Sequence, residues 1–160
     1  MIFKRMIFDN FEEDEFPEDE LYYAGKWLFN NLQLQRKIFN RPIYPSKAKG
    51  ALARFEEKDK YSMHYAVDRE STAIDFFTDV PSFEAWSLIL SSGLWDGAGI
   101  YFDTKDNTGK PHVMFHVDFG RSNKAYWLRH NNTYSGKSEY INHTDKNFWP
   151  TLLNFFFNAA

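Results

Sequence analysis

His112-Val113-Met114-Phe115-His116-Val117-Asp118-Phe119 is the stretch on which the reading of this chain turns. Side chains alternate across a strand, so Val113, Phe115, Val117 and Phe119 fall on one face and His112, Met114, His116 and Asp118 on the other. The first face suits a core. The second carries two imidazoles and a carboxylate, which suits either a rigid platform for a chemical site or a polar face turned to solvent.

Working outward, Ala98 to Phe102 reads as a partner strand, antiparallel to the first and joined to it by the turn-rich segment Asp103 to Pro111, with Asn107-Thr108-Gly109 inside it. Thr72-Ala73-Ile74-Asp75-Phe76-Phe77 alternates in the same way and puts Ala73, Asp75 and Phe77 on one face. Asn123 to Leu128 is a further strand candidate, and Ile43-Tyr44 a short one. Between strands, Pro81 and Ser82 open an amphipathic helix with Phe83, Trp86 and Leu90 on its stripe and Gly93 as a left-handed cap.

Upstream, Asp9 to Glu20 carries eight acidic side chains and no basic one. It precedes a helical stripe of Leu21, Ala24, Leu28 and Leu32 that closes on Arg36, Lys37 and Arg41. Acid at the start and base at the end complement a helix dipole, with Pro17 placed to begin the helix and Pro42 to end it. The acidic run then reads as a solvated helix start. Ser46 to Ser62 is polar loop with a helical turn expected around Ala48 to Phe55.

At 160 residues the chain is long enough for one substantial core. The pattern predicts a single α+β domain, a central antiparallel sheet flanked by helices, spanning 1–147, followed by an aromatic tail at 148–160. Aromatic residues make up 19%, with 17 phenylalanines. The tail alone holds Phe148, Trp149, Phe155, Phe156 and Phe157, and is expected to fold back over the core or to anchor a homo- or hetero-oligomer. A net charge of −3 offers no basic face for nucleic acid. No stretch is long enough to span a membrane, and the first residues lack the apolar run and cleavage site of a secretory signal. A protein left in the cytosol, or packed into a particle there, is the expectation. Cysteine is absent, so any metal must be held by His, Asp or Glu.

Ser62-x-His64, Ala73-Ile74-Asp75, Gly97-Ala98-Gly99-Ile100-Tyr101 and Phe115-His116-Val117-Asp118, followed by Gly120 and Trp127, occur in an order that resembles the M15-type zinc D-Ala-D-Ala peptidases. The likeness is to their small branch, common in bacteriophages and bacterial cell-wall enzymes, and covers roughly residues 8 to 128. It implies the Hedgehog/DD-peptidase fold, with zinc held by His64, Asp75 and His116 and a fourth position left for water. The implied substrate is the peptide stem of peptidoglycan, cut at or near D-alanine. The implied setting is a host cytoplasm or a virion. A catalytically inactive component of a phage particle, contacting other virion proteins, is the alternative.

Three departures from the family pattern stand out. The segment between His64 and Asp75 is longer than the family's and lacks its glycine, and it brings in Asp68 and Glu70 as alternative carboxylates. The family's acidic base, three residues before the last histidine, is Val113 here, leaving Asp118 or His112 to serve, or Asp118 to orient a liganding imidazole. The family's substrate-clamping arginine has Arg54 or Lys47 as its candidates. His130 and His143 read as surface residues.

Overall fold

The computed structural model describes residues 6–8, 10–132 and 135–158. Two strands at the start, β1 (Met6–Phe8) and β2 (Phe11–Glu12), pair with each other. The remaining elements are α1 (Lys26–Phe39), β3 (Ile43–Pro45), β4 (Ala73–Thr78), α2 (Ser82–Ser92), β5 (Gly97–Tyr101), β6 (Met114–Asp118), β7 (Ala125–Asn131), β8 (Ser138–Asn142) and α3 (Phe148–Phe157). Strands β3 to β8 form one sheet in the order β3-β4-β6-β5-β7-β8. Every neighbouring pair is antiparallel except β5 and β7, which run parallel. The α+β domain is therefore built on a mixed sheet, where an antiparallel one was expected.

The apolar face of the sheet is closed by the helices. Ile74 and Phe76 of β4, Ala98 and Ile100 of β5, Phe115 and Val117 of β6, and Leu128 of β7 are buried in one cluster with Leu28, Phe29 and Leu32 of α1 and Trp86 and Ile89 of α2. Phe148 and Leu152 of α3 join the same cluster, so the aromatic tail packs on the core from Phe148 onward. Ala159 and Ala160 lie outside the described residues. On the opposite face Phe77, Tyr101 and Met114 form a smaller apolar group with Trp127 against it. That second face carries the site.

Helix α1 starts five residues later than its apolar stripe suggests. The N–H of Gly25 donates to Ser71 O and the N–H of Ser71 donates to Tyr23 O, both at 2.8–2.9 Å, so residues 23–25 are drawn into extended pairing. Leu21 and Ala24 still pack against the core, from a 3-10 turn and a bridge rather than a helix. The acidic run does not abut the helix, and Glu20 is buried rather than solvated. Its carboxylate accepts from the N–H groups of Gly50, Leu52 and Ala53 at 2.6, 2.9 and 2.8 Å. Those bonds hold 50–54 as a loop, and the helical turn expected there falls instead at Glu57–Asp59. In α2 the buried face is Ala85, Trp86 and Ile89; Phe83 is half-exposed and meets Phe156 and Phe157 of α3. Gly93 caps that helix with φ 70°, as the sequence predicts.

Candidate metal centre

Asp75 and His116 face each other across the β4–β6 pair, in direct register. His64 arrives from outside the sheet, and loop 50–54 fixes it. The Arg54 N–H donates to His64 O at 2.7 Å, the Ala66 N–H to Arg54 O at 2.9 Å, and the Thr72 N–H to Met63 O at 3.0 Å. Asp75 is tied to the same loop, its N–H donating to Ala51 O at 2.9 Å. The long segment between His64 and Asp75 loops away as exposed residues 67–70, which include Asp68 and Glu70. Neither of those carboxylates lines the cleft at the site.

All three side chains are buried, and their ligand atoms lie within 4.8 Å of one another. His116 Nδ1 is 2.8 Å from Asp75 Oδ1 and 3.1 Å from His64 Nε2, and His64 Nε2 is 3.5 Å from Asp75 Oδ1. A tetrahedral ion with nitrogen and oxygen ligands at about 2.0–2.2 Å holds them about 3.3–3.6 Å apart. The donors thus stand almost at coordination spacing, drawn in slightly by their own hydrogen bonds. Two imidazoles and a carboxylate, with no thiolate, are a donor set that accepts a divalent ion such as zinc.

Behind His116 sits a second carboxylate. Asp118 Oδ2 is 2.8 Å from His116 Nε2, and Arg121 holds both oxygens of Asp118, from Nε at 2.5 Å and Nη2 at 2.6 Å. An acceptor at Nε2 keeps a proton on that nitrogen and leaves the Nδ1 lone pair for a metal. Asp118 is fully buried and does not line the cleft, so it orients an imidazole and cannot touch a bound molecule.

The electrostatics follow from this packing. Burial pushes the Asp75 carboxyl up, but the charge of His64 and the hydrogen bond from His116 outweigh it and hold the group well below the usual carboxylate range. Asp118 is also held low, burial being overcome by hydrogen bonds from His116 and Arg121. Burial alone depresses an imidazole, and it dominates at His64, which is pushed down. At His116 burial is overcome by Asp118 and Asp75, and the imidazole is pushed up.

Strand β5 supplies the space. Gly97 is opposite Asp118 and Gly99 opposite His116. A Cβ at Gly97 would run into the Asp118 carboxylate, and one at Gly99 would come within 2.5 Å of Trp127 Nε1. Trp127 lies against His116, ring centroids 5.0 Å apart, with the Arg121 guanidinium 5.4 Å from its ring.

No family model, curated protein or solved structure matches this chain. A cleft of about 450 Å³ opens over the trio, lined also by Arg54, Tyr101, Arg121, Trp127, Arg129 and Tyr140. Arg54, one of the sequence candidates, is in it; its side chain donates from Nε to Gly50 O at 2.9 Å and lies 3.7 Å from Asp59. Lys47 is exposed and lines a neighbouring depression instead.

His112 is not brought to the site. It precedes β6, its Nδ1 lies 3.0 Å from Val113 O, and it lines a separate depression with Thr78, Asp79 and Phe115. The alternation that put it beside His116 holds only from Met114 onward. His130 and His143 also lie apart, against Phe155 and Tyr126. The sequence assigns no site role to Arg121, to Tyr101 at the end of the Gly97-Ala98-Gly99-Ile100-Tyr101 motif, or to Glu20 at the end of the acidic run. Arg121 had a usable signal, a cation three residues past Asp118 across a glycine turn.

Proposed function

We propose that this chain is a zinc-dependent peptidoglycan peptidase of the Hedgehog/DD-peptidase fold, hydrolysing a peptide bond at or near D-alanine. The observation that carries the reading is the convergence of His64, Asp75 and His116 at coordination spacing beneath an open cleft. His64, Asp75 and His116 would hold a zinc ion there, which would lower the pKa of a bound water toward about 7 and polarise the scissile carbonyl.

The chain's own groups divide the remaining work. Asp118 and Arg121 fix the tautomer of His116. Arg54, at the cleft, clamps a carboxylate of the substrate. Asp75 is the one carboxylate among the described residues that lines the cleft, and as a ligand it would hold the metal that activates the attacking water. The setting proposed is a bacteriophage-infected cell or a virion, with peptidoglycan stems as substrate.

Metal analysis of the purified protein, with cleavage of purified peptidoglycan by wild type and His116→Ala, tests this. About one zinc per chain and metal-dependent cleavage lost in the variant are expected. Absence of both sinks the enzyme reading. A non-catalytic virion component is the second reading, and one observation favours it: Trp149, Leu153 and Phe157 form an exposed apolar stripe along α3, suited to a protein partner.

A further inference from the structure

Tyr101 ends β5 on the face that carries the metal centre, and it lines the same cleft as His64, Asp75 and His116. Its ring lies 6.5 Å from that of His116 at an interplanar angle of 28°. The residue is 7% exposed and firmly held. The Arg129 guanidinium covers its ring at 4.3 Å and is itself held by Asp103, whose Oδ1 is 2.7 Å from Arg129 Nε. Trp127 Nε1 donates to the Tyr101 hydroxyl oxygen at 3.2 Å.

That last contact fixes the direction of the phenol. An indole N–H can only donate, so the tyrosine oxygen is the acceptor in this bond and its own proton points elsewhere. Among the described residues nothing accepts that proton. A nearly buried O–H at the wall of a cleft, with its acceptor side filled and its donor side open, takes its acceptor from whatever enters the cleft.

The other donors are committed differently. Arg121 spends Nε and Nη2 on Asp118, Arg129 is stacked and paired as above, and Tyr140 is 60% exposed. We propose that Tyr101 is a catalytic residue that donates its hydroxyl hydrogen bond to the carbonyl oxygen of the bound substrate as that oxygen becomes negative. The assignment rests on the hydrolytic reading above.

In the addition step the water oxygen forms a bond to the peptide carbonyl carbon and the carbonyl π pair moves onto its oxygen. On collapse the C=O bond re-forms and the C–N bond breaks, and the amine leaves with the proton released by the water. Tyr101 keeps its own proton throughout; it stabilises the oxyanion without transferring anything. A donor preorganised toward developing charge in a dry site typically contributes about 10²–10³ in rate.

Tyr101→Phe in the zinc-loaded full chain is the test. The expected result is a fall in kcat of about 10²–10³ on purified peptidoglycan peptides. Zinc Kd and KM are expected to stay within about twofold, and the melting profile to remain cooperative. A phosphinate pseudodipeptide, whose tetrahedral anion mimics the adduct, is expected to bind the variant weaker by a similar factor. Cleavage by wild type with a variant kcat within about threefold overturns the Tyr101 assignment and leaves the peptidase reading standing. If wild type binds zinc but cleaves nothing, the peptidase reading fails. The phosphinate then decides Tyr101 alone: undiminished affinity in the variant, or no binding to wild type, overturns it.

Discussion

Asp118→Asn isolates the role of the carboxylate behind His116. In the wild type Asp118 accepts three hydrogen bonds, one from His116 and two from Arg121. An asparagine offers one oxygen and one NH2. If the oxygen stays with Arg121, the NH2 faces His116 Nε2 and requires a lone pair there, which moves the imidazole proton to Nδ1. Nδ1 is the atom that faces Asp75 and His64, so the variant presents a proton where the metal needs an electron pair. Removing such a partner typically weakens metal affinity 10–100-fold, about 1.4–2.7 kcal/mol. At a zinc concentration 100 times the wild-type Kd, binding stabilises the wild type by about 2.7 kcal/mol. The variant gains only about 0.4–1.4 kcal/mol at the same concentration. For a domain of this size these gains are rises of about 5–11 °C and about 1–6 °C in Tm. Thermal melts with and without zinc, checked by direct titration against a competing chelator, read both. Zinc affinity within about twofold of wild type would falsify the tautomer argument.

Three further outcomes are expected. Gly97→Ala puts a methyl group into the Asp118 carboxylate, so chemical denaturation should show a loss of about 1–3 kcal/mol and zinc titration a weakened site. Glu20→Ala leaves three N–H groups of loop 50–54 without their acceptor; a loss of about 3 kcal/mol or more is expected in urea unfolding, with Glu20→Gln clearly milder because one acceptor oxygen remains. In the metal-free protein the raised His116 contributes stability that is complete below its unfolded value of 6.5 and fades as pH rises through the folded value, whereas the depressed His64, Asp75 and Asp118 withdraw stability as pH falls. Melting temperatures of metal-free protein should therefore decline on the alkaline side of pH 6.5 while the increment from added zinc grows, since protons and metal compete for Nδ1; an increment that shrinks with rising pH contradicts this.

The parts of the fold legible in the sequence were those where one face is buried and alternation is strict. Strands β4, β5 and β6 announce themselves through Ile74 and Phe76, Ala98 and Ile100, Phe115 and Val117, all core-facing. Strand β8 escaped because only Ile141 of its five residues is buried, so Ser138–Asn142 reads as polar loop. The parallel pairing of β5 with β7 also left no local mark, because it depends on where the chain returns after Gly120. Helix α1 was misjudged at its start because Leu21 and Ala24 are buried in the same core by other means, and burial is what helical periodicity records. As for the site, the family resemblance named the trio; that Asp75 and His116 each lie on the face of their strand opposite the core follows from alternation. The placement of His64 does not. It is set by backbone bonds to Arg54, at the end of a loop whose Gly50, Leu52 and Ala53 N–H groups donate to Glu20, and no spacing within His64 to Asp75 encodes that.

Strand β5 donates no ligand, yet the centre depends on its composition. Glycine in a strand interior weakens it by about 0.5–1 kcal/mol per position relative to alanine, and β5 carries two of them at the middle of the sheet. Both lie on the site face, while Ala98 and Ile100 between and beside them are buried on the core face. The strand is thus furnished with side chains only where the core needs filling. On the other face its bare backbone lets Asp118 lean across from β6 and Trp127 from β7, one bracing His116 by a hydrogen bond and the other by its ring. Hydrogen-bonded neighbours on both sides, β6 and β7, supply the pairing that offsets the weakened propensity. Alternate glycines in a central strand, opposite a histidine and an aspartate, are on this account a mark of a crowded polar face. That face is where the chemistry should be sought.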